Sequence, residues 1–338
     1  MNSRERILSI LSLQGVDRCG FWTGHPHPHT MPGYLEKIGG QTPEDLYSFL
    51  NDDCRWFKAG WVECYKHPEG RQAFDLGLKD GKSIPRPGGL FADYETVEQV
   101  EAFDWPDPAY LDFTEVVADA RAYPDKAVFT GLWTTFFHIV AGFFMMENYF
   151  CMMHTHPAVV DAVTEHVVEF FAVGNDRLLQ EVGDASDTFF MGNDFGTQLA
   201  LLISPEMFER FILPGLKRNF DIAKKHGKKV MLHSCGSVRE IIPMLIDAGL
   251  DALHPLQARA VGMDAETLSR EFRGKLAFMG GVDTQQLLVH GTPQEVKDDV
   301  RRLRDLLGPN LIVSPSHEAI LPNVPFENVV AMAEAAME

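Results

Sequence analysis

Apolar runs of strand length alternate with helical patterns through the C-terminal half of this chain. The first helical pattern begins at Ser204, an N-cap residue type followed by Pro205 and Glu206, and it extends to about His226. Further strand-like and helical segments then alternate, with short links, as far as the C-terminus. The strand-like segments are 228–234, 250–256, 275–281 and 310–316, and the helical ones are 236–249, 264–274, 292–308 and 325–338.

This alternation predicts βαβ units and a parallel sheet. Two further strand candidates, 126–131 and 187–192, lie upstream. Six or more such units favour a closed (β/α)₈ TIM barrel over the alternative, an open doubly wound sheet, because no Gly-x-Gly-x-x-Gly motif follows a strand. We therefore predict an α/β protein in which 1–338 form one barrel domain. The regular repeats occupy 111–338.

The N-terminal part, 1–110, is less regular and predicts helical additions to the barrel. Helical patterns cover 1–15 and 42–53, and a Pro/His-rich loop covers 24–33. The polar, glycine-containing stretch 68–87 predicts a hairpin or an excursion from the barrel.

Composition excludes several classes of partner. The chain has 338 residues, and its formal net charge of -18 at pH 7 opposes binding to phosphate backbones or anionic lipid, so we expect neither nucleic acid nor a membrane. The longest apolar run, 136–146, is shorter than the roughly 18 residues of a membrane span. Five widely spaced cysteines and the absence of a signal-peptide pattern favour the cytoplasm.

Polar and ligand-type side chains follow the predicted strands, whereas the strand bodies are apolar. Because all strands of a parallel barrel end at the same face, we expect these side chains to gather there. They are Asn193, Asp194, His233, Cys235, His254, Gln257, Asp283, Ser316, His317 and Glu318.

His233 and Cys235 are the centre of this set. They are two residues apart, so they share one face if the strand continues through them. An imidazole and a thiolate, joined by a third donor from another strand, predict a Zn²⁺ site, and His317 is the best third donor. The alternatives are that His233 and Cys235 are ordinary barrel residues and that His317 binds a substrate carboxylate or carbonyl.

Other residues are candidates for catalysis or substrate binding. Asp194 either orients a ligand or caps a turn, and Glu147, on an otherwise apolar helix, is either a buried ligand or a solvated residue. His25, His27 and His29 alternate with prolines, and we do not expect them to bind a metal. We expect instead that Trp22 and His25 belong to a loop that covers the substrate near the pocket. The candidate substrate-binding residues are Trp22, His25, Arg55, Phe144, Gln198 and Gln257.

At these residues the chain resembles the uroporphyrinogen decarboxylase superfamily, and within it the branch of corrinoid-dependent methyltransferases. Four long segments in the right order carry the resemblance, which is strongest from Ser186 onward and implies a (β/α)₈ barrel. The segments are 192–218, 228–257, 277–283 and 314–329.

In the methyltransferase branch, a His-x-Cys pair and a later Cys bind zinc, which activates a thiol acceptor. His233 and Cys235 match the pair, but Ser316 and His317 stand where the later Cys would be. The resemblance therefore implies zinc on His233, Cys235 and His317, a corrinoid carried by a small partner protein, and a homodimer. Related cobalamin-independent methionine synthases have an acidic ligand near Gln257, where this chain has an amide.

The decarboxylases proper bind porphyrinogen carboxylates through an Arg-Gln-Ala-Gly-Arg segment near the N-terminus. The corresponding stretch here, 21–36, contains no arginine, and the catalytic Asp of those enzymes has no clear counterpart after Asp53. Since a tetrapyrrole with many carboxylates needs cationic anchors, we do not expect uroporphyrinogen to be the substrate.

We therefore predict a zinc-assisted methyltransferase that acts, with a separate corrinoid protein, on a small methylated substrate or acceptor. Asp194 and Glu147 would orient the substrate or assist proton transfer. One alternative is a metal-independent decarboxylase or lyase of a small carboxylic acid, with His317 and a nearby Asp handling protons. The other is a catalytically silent ligand-binding barrel.

Overall fold

The computed structural model describes residues 1–74 and 89–338. The strands are β1 Gly20–Phe21, β2 His25–Pro26, β3 Cys54–Ala59, β4 Ala127–Leu132, β5 Thr188–Gly192, β6 Lys229–His233, β7 Ala252–Leu256, β8 Ala277–Val282, β9 Leu311–Pro315 and β10 Ala319–Ile320. The α-helices are α1 Ser3–Leu11, α2 Met31–Ile38, α3 Pro43–Phe49, α4 Trp61–Cys64, α5 Val97–Glu101, α6 Thr114–Arg121, α7 Phe136–Phe144, α8 Met146–Thr155, α9 Pro157–Val182, α10 Pro205–Phe211, α11 Leu213–Lys225, α12 Ile242–Asp247, α13 Ala265–Phe272, α14 Leu287–His290, α15 Pro293–Leu307 and α16 Phe326–Ala336.

Eight of the strands form one parallel sheet in the order β1-β9-β8-β7-β6-β5-β4-β3. Helices connect successive strands, and the sheet curls into a (β/α)₈ barrel, which confirms the predicted fold class. Outside this sheet β2 pairs with β10, with His25 opposite Ala319. All eight strands point the same way, so their carboxyl ends meet at one face, which we call the mouth.

The six barrel strands predicted from the sequence are all present. The prediction missed β1 and β3, because β1 has only two residues and β3 carries Arg55 and Lys58, so neither is an apolar run. The single helix predicted for 204–226 is wrong: α10 ends at Phe211 and α11 begins at Leu213. Pro214 lies in the first turn of α11 and cannot donate the hydrogen bond that would continue α10.

The helical prediction for 236–249 also needs correction, since it divides into a 3₁₀ turn, Arg239–Ile241, and then α12. The hairpin or excursion predicted for 68–87 lies mostly outside the described residues.

The apolar stretch around 136–155 is broken between α7 and α8 by Met145, which has a φ of 60°. Within the described residues no single helix is both long and apolar enough to cross a membrane. Together α7 and α8 would meet that test of length and composition, but they form an angle of 88°.

The amino ends of the barrel strands are covered by α1. Its Ile7 and Ile10 belong to the apolar cluster inside the barrel, together with alanines at the starts of β4, β7 and β8. Gly20 begins β1 directly beside this helix, and an added Cβ there would lie 2.5 Å from Ile7 Cδ1. Small residues at this level therefore let α1 close the bottom of the barrel.

The two strands at the ends of the sheet order, β1 and β3, meet at a seam built around Asp53. The Asp53 N–H donates to the carbonyl of Phe21, and the Phe21 N–H donates to the Asp53 carboxylate, each at 3.0 Å. The same carboxylate is fully buried and accepts from Arg6 at 2.9 Å and Arg18 at 2.8 Å. One side chain therefore joins the two edges and anchors the N-terminal segment.

We expect Asp53→Asn to lower the free energy of unfolding by about 3–5 kcal/mol, because it leaves buried guanidinium groups without their carboxylate. Urea denaturation followed by circular dichroism measures this loss. Asp221→Asn is the control, since Asp221 forms an exposed ion pair with Lys217 and its loss changes stability little. Equal stabilities of Asp53→Asn and the wild type would show that the seam does not depend on this carboxylate.

Candidate metal centre and active site

Three donor atoms converge at the mouth where β5 and β6 end. His233 is the last residue of β6, Cys235 follows two positions later, and Asp194 follows β5. Nε2 of His233 lies 3.4 Å from Sγ of Cys235 and 3.3 Å from Oδ1 of Asp194, and all three donors lie within 4.8 Å of one another. Tetrahedral zinc with ordinary N, O and S bonds has ligand–ligand edges of about 3.3–3.7 Å, so these distances fit such an ion.

The surroundings of this donor group shift the pKa values of its thiol and its carboxylate in opposite directions. Burial raises the pKa of the Cys235 thiol, and the carboxylates of Asp194 and Glu318 raise it further. Burial alone would raise the pKa of Asp194, but its hydrogen bond to His233 and the charge of that ring outweigh burial and lower it. The protein's own charges thus oppose a thiolate at Cys235, whereas a bound dication would favour one.

A second donor group lies on the other edge of the same imidazole. Nδ1 of His233 lies 3.0 Å from Nδ1 of His254 and 3.7 Å from Oε2 of Glu318. Burial, together with the neighbouring histidines, holds the pKa of His254 well below its usual range, so this ring is neutral. Among the described residues, Nε2 of His254 and Oε2 of Glu318 are buried without a hydrogen-bond partner. Such atoms indicate that the mouth is shaped for an ion, a water or a ligand.

Aromatic rings form a wall of the mouth next to the donor groups. Trp56 contacts Trp22, His25 and Trp133, with ring centroids 6.0, 5.0 and 5.2 Å apart. The ammonium group of Lys58 lies 5.8 Å from the Trp56 ring centre and 5.7 Å from that of Trp133. Burial lowers the pKa of His25, so this ring is neutral near pH 7. The wall thus combines flat apolar surfaces with one exposed cation.

His317, the expected third donor, is not part of either donor group. Its ring centre lies 6.3 Å from that of His233, and its Nδ1 accepts a hydrogen bond from the Ala319 N–H at 3.1 Å. The third donor nearest to His233 and Cys235 is the carboxylate of Asp194. His317 is half-exposed beside Glu318, where it can meet a ligand in the mouth.

Two predicted substrate-binding residues, Gln198 and Gln257, lie together beside Cys235. Gln198 Nε2 donates to Gln257 Oε1 at 3.1 Å, and the same oxygen accepts from the Gly236 N–H at 2.9 Å. The amide at Gln257 therefore holds the backbone that follows Cys235, a contact that an amide oxygen can make without adding charge.

Three predicted site residues lie away from the donor groups. Arg55 binds the carboxylate of Glu44, and it lines a crevice of about 340 Å³ that Trp22 and His25 also line. Phe144 is fully buried in the helical layer, and Glu147 is exposed at the start of α8.

Several mouth residues were not selected from the sequence. His254 and Glu318 belong to the strand-end set, but nothing in the sequence distinguished them from their neighbours. Trp56 and Lys58 are two residues apart in β3 and therefore lie on the same face of the strand. The charged residues of this strand obscured that period-two pattern in the sequence. Trp133 directly follows β4 and could have been found by extending the strand-end rule to that strand.

The sequence profile described as uroporphyrinogen decarboxylase (URO-D) matches residues 74–338, most of the chain. The chain belongs to the URO-D family. Its fold is similar to that of a methyltransferase from Methanosarcina mazei, with a TM-score of 0.70 and 15% sequence identity over 100% of this chain and 98% of that one. At this identity the likeness shows a shared fold. A search of curated proteins gave no match.

Gly192, the last residue of β5, lets Trp133 pack against His233 in this URO-D family member. The two rings are 5.6 Å apart, and a Cβ at Gly192 would lie 2.2 Å from Cζ2 of Trp133. We expect Gly192→Ala to displace the indole, which increases quenching of tryptophan fluorescence by acrylamide. Gly33→Ala is the control, because nothing lies within 4 Å of its added Cβ. Unchanged quenching in Gly192→Ala would contradict this packing.

Proposed function

We propose that this URO-D family member is a zinc-assisted methyltransferase that acts, with a separate corrinoid-binding protein, on a small methylated substrate or methyl acceptor. The observation that carries the proposal is the convergence of His233 Nε2, Cys235 Sγ and Asp194 Oδ1 at the mouth. The resemblance of the segments around these residues to corrinoid-dependent methyltransferases supports it.

The donor set suits zinc in particular. One nitrogen, one sulfur and one oxygen donor are ligands that Zn²⁺ accepts, and three protein ligands leave a fourth position for a substrate heteroatom. When bound, zinc supplies a Lewis acid that favours a thiolate or polarises the heteroatom whose bond to methyl is made or broken. In this proposal Asp194 takes the place of the family's later Cys.

The protein's own residues then orient the donors and handle the proton. Asp194 accepts from the Cys235 N–H at 2.8 Å, so the carboxylate also fixes the loop that carries the thiol. Among the described residues, Glu318 has a buried oxygen without a hydrogen-bond partner near His233 and His317, and we assign to its carboxyl group the donation of the proton that the heteroatom takes up when it loses the methyl group. His317 would bind a polar group of the substrate.

The aromatic wall would position the substrate beside the donor group. Trp56 and Trp133 give flat surfaces that exclude water, and Lys58 offers its charge to a negative substrate substituent. In this proposal Trp22 and His25 complete the wall, while Gln198 and Gln257 hold the backbone beside Cys235.

The corrinoid partner would cover the mouth. Leu199 is 76% exposed and Val261 is 55% exposed, and the Val261 N–H donates to the carbonyl of Gln198, so the two apolar side chains lie on adjoining loops. Adjoining exposed apolar side chains at the rim are typical of a surface that binds another protein.

Metal content distinguishes the proposed ligand set from the one expected from sequence. We expect near-stoichiometric zinc in the wild type, loss of zinc in His233→Ala and Cys235→Ser, and weaker binding in Asp194→Asn. His317→Ala, the matched control, should retain its zinc because its ring is outside the donor group. Elemental analysis measures the zinc content of each variant, and chelator competition measures its zinc affinity. Zinc lost in His317→Ala and retained in Asp194→Asn would assign the third ligand to His317.

Methyl transfer is tested with free cob(I)alamin, which stands in for the partner-bound corrinoid. We expect methylcobalamin to form from methanol, methyl thioethers or methyl ethers only with zinc-loaded protein, as measured by its visible spectrum. Zinc removal or Cys235→Ser should reduce the rate at least about 100-fold, the scale of losing a principal electrostatic stabiliser. Wild-type protein without zinc that releases CO₂ from a small carboxylic acid would instead support the metal-independent decarboxylase.

A further inference from the structure

We propose that His254 is a positioning residue whose Nδ1 accepts a hydrogen bond from the Nδ1–H of His233, so that Nε2 of His233 is left to bind the metal. This inference rests on the proposed function, because it requires a metal at His233. It assigns a role to His254, which lies outside the donor group of Asp194, His233 and Cys235.

The distance between the two Nδ1 atoms, 3.0 Å, is that of a good N–H···N hydrogen bond. A neutral imidazole has one protonated and one free ring nitrogen, so one of the two rings donates and the other accepts. If His254 donated, the proton of His233 would lie on Nε2, directed at Cys235 and Asp194, and no lone pair would remain there for a metal. If His233 donates, Nε2 carries the lone pair at the centre of the donor group.

The surroundings of His254 hold its acceptor nitrogen in place. The ring is fully buried, and the rings of Trp22 and Phe190 lie with their centroids 5.4 Å from its own. Side chains locked by packing in this way keep hydrogen-bond geometry better than exposed ones. The carboxylate of Glu318 lies farther from Nδ1 of His233, at 3.7 Å, and is outside hydrogen-bond distance.

A rival assignment uses the same atoms. His233 Nδ1, His254 Nδ1 and Glu318 Oε2 lie within 4.8 Å of one another and could hold a second cation, with the His233 ring between two metals. This assignment requires the imidazole to lose its remaining proton, whereas the hydrogen bond requires no loss. The two assignments differ in metal stoichiometry, two ions against one.

Two substitutions separate positioning from packing. His254→Asn keeps an acceptor oxygen near the position of Nδ1 but leaves a cavity, and His254→Phe fills the space but removes the acceptor. A packing role makes Asn the more damaging change, because cavities destabilise buried sites. A positioning role makes Phe the more damaging change for zinc affinity, although not for folding.

The experiment is zinc affinity by chelator competition on the full-length wild type, His254→Asn, His254→Phe and Glu318→Gln, with thermal unfolding of each. We expect one zinc per chain, a 10–100-fold weaker affinity in His254→Phe, as for other partners of ligating histidines, and affinity near the wild type in His254→Asn. The visible spectrum of the Co²⁺-substituted protein should change in His254→Phe and recover in His254→Asn.

Each other outcome contradicts a different statement. Wild type without zinc overturns the proposed function itself. One zinc with equal affinity in His254→Phe and wild type overturns the positioning role and leaves the function intact. Two metals per wild-type chain, with one lost in both His254→Phe and Glu318→Gln, replaces the hydrogen bond with the second cation. If His254→Asn binds zinc less tightly than His254→Phe, His254 serves packing only.

Discussion

A buried carboxylate at the seam between β1 and β3, the two end strands of the sheet, supports the whole barrel. Asp53 accepts from Arg6 and Arg18 and exchanges hydrogen bonds with Phe21, so it joins β1 to β3 and fixes the N-terminal segment beneath them. Neither edge of the sheet can be left open, because unpaired strand edges are exposed to water or to other chains. Closure at this seam brings Trp22 and Trp56 together on one side of the mouth.

The mouth concentrates groups that are costly to bury without partners. Two imidazoles, a thiol and two carboxylates lie within a few ångströms, and buried oxygen and nitrogen atoms among them have no hydrogen-bond partner in the described residues. Apolar side chains of the same shape would have made a more stable barrel. The cost is typical of a functional site, where polar groups are placed for a ligand rather than for the fold.

His233 is the residue on which both donor groups depend. One edge of its ring meets Asp194 and Cys235, and the other meets His254 and Glu318. The orientation of this imidazole therefore links the fully buried His254 to the half-buried thiol of Cys235. The proposed zinc site and the proposed role of His254 both centre on this ring.

The alternation of apolar runs and helical patterns was sufficient to predict the barrel, since the burial of each strand and helix is written into the periodicity of its own residues. The strand-end rule likewise predicts that His233, Cys235 and Asp194 lie at one face. The sequence could not rank His317 against Asp194, or select His254 and Glu318, because those choices depend on distances between side chains from different strands. Only the closed barrel, with its strand register and side-chain directions, determines which donors face one another and which, like Arg55, bind a neighbour elsewhere.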